Sequence, residues 1–263
     1  MKLFDAHNHL QDPRLDHARP ELEKAISDLG IVEMVVNGTS EQDWAKVATL
    51  AQRLTWVRPS YGLHPWNVKQ KGIEWLERLR DYLQRDPRSL MGEIGLDQWI
   101  ELPDFSAQRL CFQQQLALAI ELDRPVTIHC LRAWGYLEEE LRRQKPLPRG
   151  FLLHSYSGPI EMIPSWLKLG AYFSLSPYFA HARKAQQLSV FASLPLDRLL
   201  VETDAPDMWP PDEWNRYPLI DEGKPINHPG NLAVSYDLLA RVRGMAVEDL
   251  AEHIEINFRR LFG

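Results

Sequence analysis

The chain has 263 residues, of which 44% are hydrophobic and 25% are charged, and its formal net charge is −6 at pH 7. This balance is ordinary for a folded globular protein and excludes a fibrous chain or a long disordered one. The acidic charge also excludes a protein that coats duplex DNA through a broad basic surface.

Short apolar runs, rich in β-branched and aromatic residues, predict eight strands at fairly even intervals. In chain order they occupy residues 3–10, 32–39, 57–65, 89–97, 125–130, 150–158, 171–177 and 199–206. Between most of them, apolar residues repeat at helical spacing and predict helices over residues 44–54, 73–83, 105–122 and 160–169. We predict Ser40 as the N-cap of the first of these helices and Gly170 as the stop of the last.

Strands that alternate with helices pair in parallel through right-handed crossovers. Eight such units predict an α/β fold, a single-domain (β/α)8 TIM barrel over residues 1–263, with a doubly wound sheet as the alternative. Polar residues collect at the C-terminal end of nearly every predicted strand. A barrel brings those strand ends together at one mouth, where its active site lies, whereas an open sheet spreads them along an edge. This pattern favours the barrel.

The first predicted strand carries Asp5, His7 and His9 at alternate positions, so all three side chains point to one face. Two imidazoles on one face can chelate a zinc-like cation. Asp5, one step deeper, could orient an imidazole as a hydrogen-bond acceptor, or it could be a satisfied core carboxylate. The histidine pair alone is weak support for a metal site, because short motifs often match by chance.

Further candidate ligands lie on other predicted strands or at their C-terminal ends. With the histidine pair they make a set of four histidines, one glutamate and one aspartate: His7, His9, Glu93, His129, His154 and Asp204. One cation is too few for this set if it converges at a barrel mouth. Glu93 could bridge two cations about 3.5–4 Å apart, an arrangement suited to phosphodiester hydrolysis because the attacking and leaving oxygens both need charge neutralisation.

Two acidic and two basic residues are predicted to have roles at the site other than holding the metal. Asp204 could also take a proton from the attacking water, although an N-cap role would suit the same residue, and Glu202 shares its face as a supporting carboxylate. His64 and Arg132 are candidate contacts to a phosphate or scissile-group oxygen. The alternatives are a cap before Pro65 for His64 and an ordinary surface position for Arg132.

Residues 206–231 form the one clear shift in composition, since they are rich in proline and aromatics and lack periodicity. A loop of more than about 15 residues is usually functional or disordered. Trp209, Trp214 and Tyr217 favour an ordered flap over the barrel mouth, where one of these rings could stack on a terminal base.

The sequence also predicts the compartment. It has no run of about 20 apolar residues that could span a bilayer, and its start lacks the apolar core of a secretory signal. Cys111 and Cys130 have no CxxC spacing, which excludes a disulfide framework and a cysteine zinc site. We expect a cytoplasmic protein without a membrane partner. The oligomeric state is not predicted.

Several motifs together resemble one family. DAHNHL, YGLHP, GEIGLD, IHC, LLHSYSG, LLVETDAP and INFRRLFG are similar, in order and spacing, to TatD-type metal-dependent deoxyribonucleases of the amidohydrolase-like superfamily, and they cover residues 3–263. The resemblance implies a (β/α)8 barrel with two divalent ions (Mg, Mn or Zn) and 3′ to 5′ exonuclease action on single-stranded DNA or RNA, with roles in DNA repair or degradation.

The resemblance also assigns the ligands. It implies that His7, His9 and Asp204 hold one ion, that His129 and His154 hold the second, and that Glu93 bridges the two.

This chain departs from the family pattern in several motifs, including slight differences in the HC and HSYSG motifs. Gln11 stands where the first motif usually has aspartate, and residues 225–231 read PINHPGN where an Arg-Asn-Glu-Pro segment is usual. Because these differences concern the substrate, an amidohydrolase or phosphoesterase acting on a small molecule is the alternative hypothesis. A non-catalytic metal-dependent binding module is a third, and it predicts a missing ligand that the sequence does not show.

Overall fold

The computed structural model describes residues 1–101 and 103–263, and the strands within them form an eight-stranded sheet and a two-stranded hairpin. The large sheet has the sequential order β1 to β8. Its strands are β1 (Leu3–Asn8), β2 (Ile31–Asn37), β3 (Val57–Tyr61), β4 (Leu90–Asp97), β5 (Val126–Leu131), β6 (Phe151–Leu153), β7 (Ala171–Leu175) and β8 (Leu199–Val201). The hairpin pairs β9 (Pro218–Asp221) with β10 (Lys224–Asn227) in antiparallel register.

Helices separate the strands of the large sheet. They are α1 (Arg19–Asp28), α2 (Trp44–Arg53), α3 (Trp75–Arg85), α4 (Phe105–Glu121), α5 (Trp134–Arg143), α6 (Ile163–Leu169), α7 (Ala185–Ser193), α8 (Leu232–Arg243) and α9 (Val247–Phe262). Among the described residues, no helix is both long and apolar enough to cross a membrane.

The strand order identifies the architecture as a (β/α)8 TIM barrel. A doubly wound sheet would place a later strand beside an early one and leave two free edges. Here the chain just after β8 returns to the chain at the end of β1, because the Asp204 N–H donates to the His7 carbonyl (2.9 Å) and the His9 N–H donates to the Ala205 carbonyl (2.8 Å). The predicted barrel is confirmed; its single-domain organisation over residues 1–263 stays a prediction.

The chain divides into two compact units. The first comprises Met1–Val36, His154–Tyr156 and Phe173–Arg260, and the second comprises Asn37–Leu153, Ser157–Tyr172 and Leu261–Gly263. The core of the first unit joins β1 to the last two helices. The rings of Phe4 and Phe258 lie 5.0 Å apart, and the Phe4 N–H donates to the Tyr236 hydroxyl (2.9 Å). These contacts fix the strand that carries His7.

The core of the second unit holds the end of β3 against helices. Trp44 on α2 is fully buried, and its indole N–H donates to the Gly62 carbonyl (2.9 Å). Gln115 on α4 accepts from the Leu63 N–H (2.7 Å) and donates to the Leu63 carbonyl (3.2 Å). The polar backbone just after β3 is thereby satisfied inside the core, as burial requires.

One predicted N-cap and two predicted helix starts are wrong; one of these starts is Ile160, because Ile160–Met162 form a 3-10 turn and α6 begins at Ile163. Ser40 is not an N-cap, because a turn precedes α2 and the Asp43 carboxylate accepts from the Thr39 and Ser40 N–H groups (2.9 and 3.2 Å). Ile73 lies outside α3 and is fully exposed, whereas Trp75 begins the helix and takes the buried position. The end of α6 at Gly170 agrees with the prediction, since this residue adopts a left-handed conformation (φ 91°).

The prediction of residues 206–231 as one long loop is wrong in part. They contain the β9–β10 hairpin, whose turn places Glu222 and Gly223 at φ 46° and 76°. Positive φ at both central residues is typical of a type I′ turn, for which Asn-Gly is the usual sequence signal. Glu-Gly meets the same requirement without that signal.

Candidate metal centre

His7, His9 and Asp204 bring three donor atoms together, and we name them the β1/β8 group. Nε2 of His7 and Nε2 of His9 lie 3.3 Å apart, and each lies 3.4 Å from Oδ1 of Asp204. His7 is fully buried at the end of β1, His9 follows two residues later, and Asp204 follows β8. Adjacent strand ends therefore supply all three donors.

The donor chemistry of this group fits a divalent cation. Zinc–nitrogen bonds of about 2.0–2.1 Å in tetrahedral geometry place neighbouring ligand atoms about 3.4 Å apart. The measured separations of 3.3–3.4 Å match that spacing. Burial alone would raise the pKa of the Asp204 carboxyl, but its hydrogen bonds with His7 and His9 outweigh burial and hold the pKa well below its ordinary value. Asp204 is therefore a charged carboxylate at neutral pH.

His154 and Glu202 lie beside the β1/β8 group in the same unit. The imidazole of His154 stacks on that of His7, with ring centroids 4.0 Å apart and planes 8° apart. Nδ1 of His154 lies 3.6 Å from Oε1 of Glu202, and Glu202 accepts hydrogen bonds from the hydroxyls of Ser155 and Ser174. His154, Glu202 and Asp204 form a second possible ligand set. Glu202 is thus a fully buried carboxylate held by two serines.

Asp5 supports this group through the backbone rather than through an imidazole. Its carboxylate accepts from the His7 N–H (3.1 Å), the Thr203 N–H (3.0 Å) and the Thr203 hydroxyl (2.6 Å). Burial raises the pKa of Asp5 to about 7, although these donors act in the opposite direction. Asp5 therefore links β1 to the residue that precedes Asp204.

A further cluster lies in the second unit, where His64, Glu93 and His129 form what we name the β4/β5 group. Oε1 of Glu93 lies 3.2 Å from Nδ1 of His129 and 3.4 Å from Nε2 of His64. All three residues are buried. Small residues let the backbones approach here: a Cβ at Gly95 would lie 1.9 Å from the His129 carbonyl oxygen, and one at Gly62 would lie 2.7 Å from that of Glu93.

Asp97 orients His129 and was missed in the sequence. Its Oδ2 lies 2.8 Å from Nε2 of His129, so the imidazole donates its N–H there and keeps the Nδ1 lone pair toward Glu93. Burial acts to raise the pKa of Asp97, but the hydrogen bond and charge of His129 outweigh it and lower the pKa. The available signal was spacing, because Asp97 lies four residues beyond Glu93 on one strand and shares its face.

His64 is held in a different way. Its Nδ1 accepts the Trp66 N–H (3.2 Å), which caps the 3-10 helix Pro65–Gln70. A neutral imidazole has one N–H and one lone pair. Because the Nδ1 lone pair is used, Nε2 carries the proton and faces Glu93 as a donor rather than as a metal ligand. This geometry suits the predicted hydrogen-bonding role of His64.

Cys130 and Arg132 follow His129 in the sequence but are not members of this group. Arg132 is exposed, has a left-handed φ of 55°, and makes no hydrogen bond or ion pair with residues 1–101 and 103–263. Its proposed contact with substrate stays a prediction. Burial raises the pKa of the Cys130 thiol far above its ordinary value, which removes this cysteine as a candidate nucleophile.

Each predicted metal ligand belongs to at least one group of possible ligands, and all of them are buried except His9, which is of intermediate exposure. The first unit holds His7, His9, His154 and Asp204, and the second holds Glu93 and His129. A bridging role for Glu93 stays a prediction.

A TIM barrel that buries clusters of histidine and carboxylate at the carboxyl ends of its strands has the architecture of a metal-dependent hydrolase. The family model described as "TatD related DNase" matches residues 4–263. The chain therefore belongs to the TatD-related DNase family, and it is a metal-dependent hydrolase.

Individual relatives resemble the chain over nearly its whole length. It is 30% identical over 264 residues to the uncharacterized metal-dependent hydrolase YjjV of Escherichia coli K12, covering 99% of this chain and 98% of the relative. The crystal structure of YjjV superposes with a TM-score of 0.89 at 29% identity, covering 99% of this chain and 97% of that chain. The 3′-5′ ssDNA/RNA exonuclease TatD of Pantoea vagans is 29% identical over 266 residues, with 99% of each chain covered.

Proposed function

We propose that this protein is a divalent-metal-dependent phosphodiesterase that removes nucleotides from the 3′ end of single-stranded DNA or RNA. The β1/β8 group is the observation that carries the proposal, because its three donor atoms have the separation that a divalent ion requires. Relatives described as 3′-5′ ssDNA/RNA exonucleases, similar over 99% of the chain, support the choice of substrate and polarity.

We propose two ion positions for Mg, Mn or Zn. His7, His9 and Asp204 would hold one, Glu93 and His129 would contribute to the other, and the ligand role of His154 and the bridging role of Glu93 stay predictions. Bound divalent ions would neutralise charge on the phosphoryl oxygens and lower the pKa of a coordinated water.

The remaining chemistry belongs to side chains. Asp204 is charged at neutral pH, so its carboxylate can accept the proton that the attacking water loses. Asp97 keeps His129 in the tautomer whose Nδ1 lone pair is available. The Nε2–H of His64 can donate to a non-bridging phosphate oxygen, and the exposed Arg132 guanidinium can pair with a neighbouring phosphate. Ser155 and Ser174 satisfy Glu202, which lies next to His154.

A nuclease assay with metal control tests this proposal. The purified protein is incubated with 5′-labelled single-stranded DNA or RNA and Mg²⁺ or Mn²⁺, and we expect stepwise shortening from the 3′ end that a chelator abolishes. Asp204→Asn should lose this activity, whereas Asp197→Asn, which changes an exposed aspartate of the same unit, should keep it. If the protein leaves the strands intact but hydrolyses small amides or phosphoesters, the result would contradict the proposal and favour the small-molecule hydrolase.

A further inference from the structure

Two large aromatic side chains of the second unit are exposed next to the β4/β5 group. Trp66 is 49% exposed and Trp99 is 56% exposed, although most large apolar side chains of the chain are buried. Their ring centroids lie 6.4 Å apart with an angle of 27° between the planes. The pair therefore presents neighbouring, nearly parallel indole faces to solvent.

Both tryptophans are anchored by one carboxylate. The Trp66 indole N–H donates to Oδ2 of Asp97 (2.7 Å), and the Trp99 backbone N–H donates to Oδ1 of the same residue (2.6 Å). Oδ2 of Asp97 also accepts from His129, so a single side chain holds the Trp66 ring, the Trp99 backbone and a candidate metal ligand. A ring that is already fixed, as that of Trp66 is, loses little conformational entropy when a ligand binds.

Trp66 lies next to two residues of the β4/β5 group. Its ring packs edge-on against His64 at 5.2 Å and approaches His129 at 6.3 Å between centroids. A planar group stacked on the tryptophans would therefore lie close to the β4/β5 group. In a nucleic acid, the planar group that lies close to the scissile phosphate is the base of an adjacent nucleotide.

We propose that Trp66 and Trp99 form a stacking platform for a nucleobase of the strand being cleaved. The inference rests on the proposed nuclease function and adds the contact by which a single strand is recognised. Base stacking on aromatic rings needs no basic surface and tolerates any base, which suits a protein with a net charge of −6. A paired base would have its faces covered by neighbours, so the platform selects unpaired ends.

The aromatic rings of residues 206–231 are less available for this role. Trp214 has the Arg241 guanidinium over its ring at 4.8 Å, and Tyr217 stacks on His228 with centroids 5.1 Å apart. Trp209 keeps 37% of its surface exposed, without a partner ring of its own among the described residues. The platform is therefore placed on Trp66 and Trp99.

Trp99→Ala tests the platform because it removes one exposed ring and leaves the backbone contact to Asp97 intact. Binding is measured by fluorescence anisotropy in chelator, with a 5′-labelled oligothymidine and with the same strand made abasic at its two 3′ nucleotides. Stacking on an aromatic residue is worth about tenfold or more in affinity. We expect Trp99→Ala to weaken binding of the base-bearing strand by about that factor and to leave the abasic strand unchanged. Trp99→Phe should keep most of the affinity.

Hydrolysis of the same two strands with Mn²⁺ gives the second readout. Trp99→Ala should raise KM for the base-bearing strand by about tenfold and remove the preference for it over the abasic strand. Tyr136→Ala is the matched control, since Tyr136 is 43% exposed in the same unit and packs on Phe105. If the Trp99→Ala variant prefers the base-bearing strand over the abasic strand as strongly as the wild-type protein does in both assays, the platform proposal is wrong. If the wild-type protein cleaves neither strand, the nuclease proposal fails, and anisotropy alone then decides the platform.

Discussion

The β1/β8 group and the β4/β5 group hold their histidines in different ways. In the first, His7 and His9 face Asp204 directly, and the support comes from backbone contacts of Asp5. In the second, His129 reaches Glu93 only because Asp97 accepts the opposite ring N–H. The comparison indicates two ways to position a histidine, through its backbone as at His7 or through the opposite ring nitrogen as at His129, where the orienting group lies on the neighbouring strand.

The largest expected effect comes from loss of a ligand in either group. We predict that His9→Ala and His129→Ala each lower kcat by about a thousandfold or more, because divalent ions carry most of the charge stabilisation. If the two groups hold separate ions, each variant should lose one equivalent of metal in elemental analysis while the other equivalent stays. Loss of both equivalents in each variant would contradict separate sites. His253→Ala, at an exposed position on α9, is the control.

Asp97→Asn should have a smaller effect that is specific to the β4/β5 group. The amide can still contact the His129 N–H but lacks the charge that makes this ligand basic. We predict a loss of about 10- to 100-fold in metal affinity or activity. Equilibrium titration with Mn²⁺ measures it, and Asp81→Asn, which replaces an exposed aspartate of the same unit, should titrate like the wild-type protein. An unchanged affinity in Asp97→Asn would mean that His129 needs no such partner.

The smallest effect concerns the first unit alone and appears as a dependence of stability on pH. Burial lowers the pKa of His228 from 6.5 to about 4, so the folded state keeps this imidazole neutral while the unfolded state takes up a proton. The stability that this residue contributes is present above pH 6.5 and is lost as the pH falls toward 4. Relative to pH 8, the loss at pH 5 is about 2 kcal/mol.

His228→Asn should remove this loss, because the asparagine carbonyl can replace Nδ1 as the acceptor of the Gly230 N–H (2.7 Å) without titrating. Urea denaturation at pH 8 and pH 5 measures the difference in the free energy of unfolding between the two proteins. An equal fall in both would show that other groups carry the acid sensitivity. His253→Asn should behave like the wild-type protein.

The sequence by itself determined the elements and the residue types of the site. Alternating apolar runs predicted all eight strands of the sheet, because strand periodicity and helical periodicity are local properties of the chain. Polar residues on apolar strands or at their C-terminal ends were found in the same way: His7, His9, Glu93, His129, His154 and Asp204. Local signals were less reliable at boundaries, as Ser40 and Ile73 show, because a turn or a neighbouring tryptophan decides where a helix begins.

Only the tertiary structure decided which of these residues meet and what each nitrogen does. The approach of Asp204 to His7 and His9 depends on the return of the chain from β8 to β1, across almost 200 residues of sequence. The tautomer of His64 follows from the Trp66 N–H, and that of His129 from Asp97. Hydrogen-bond geometry of this kind is set by distances of a few tenths of an ångström, and packing rather than residue order fixes such distances.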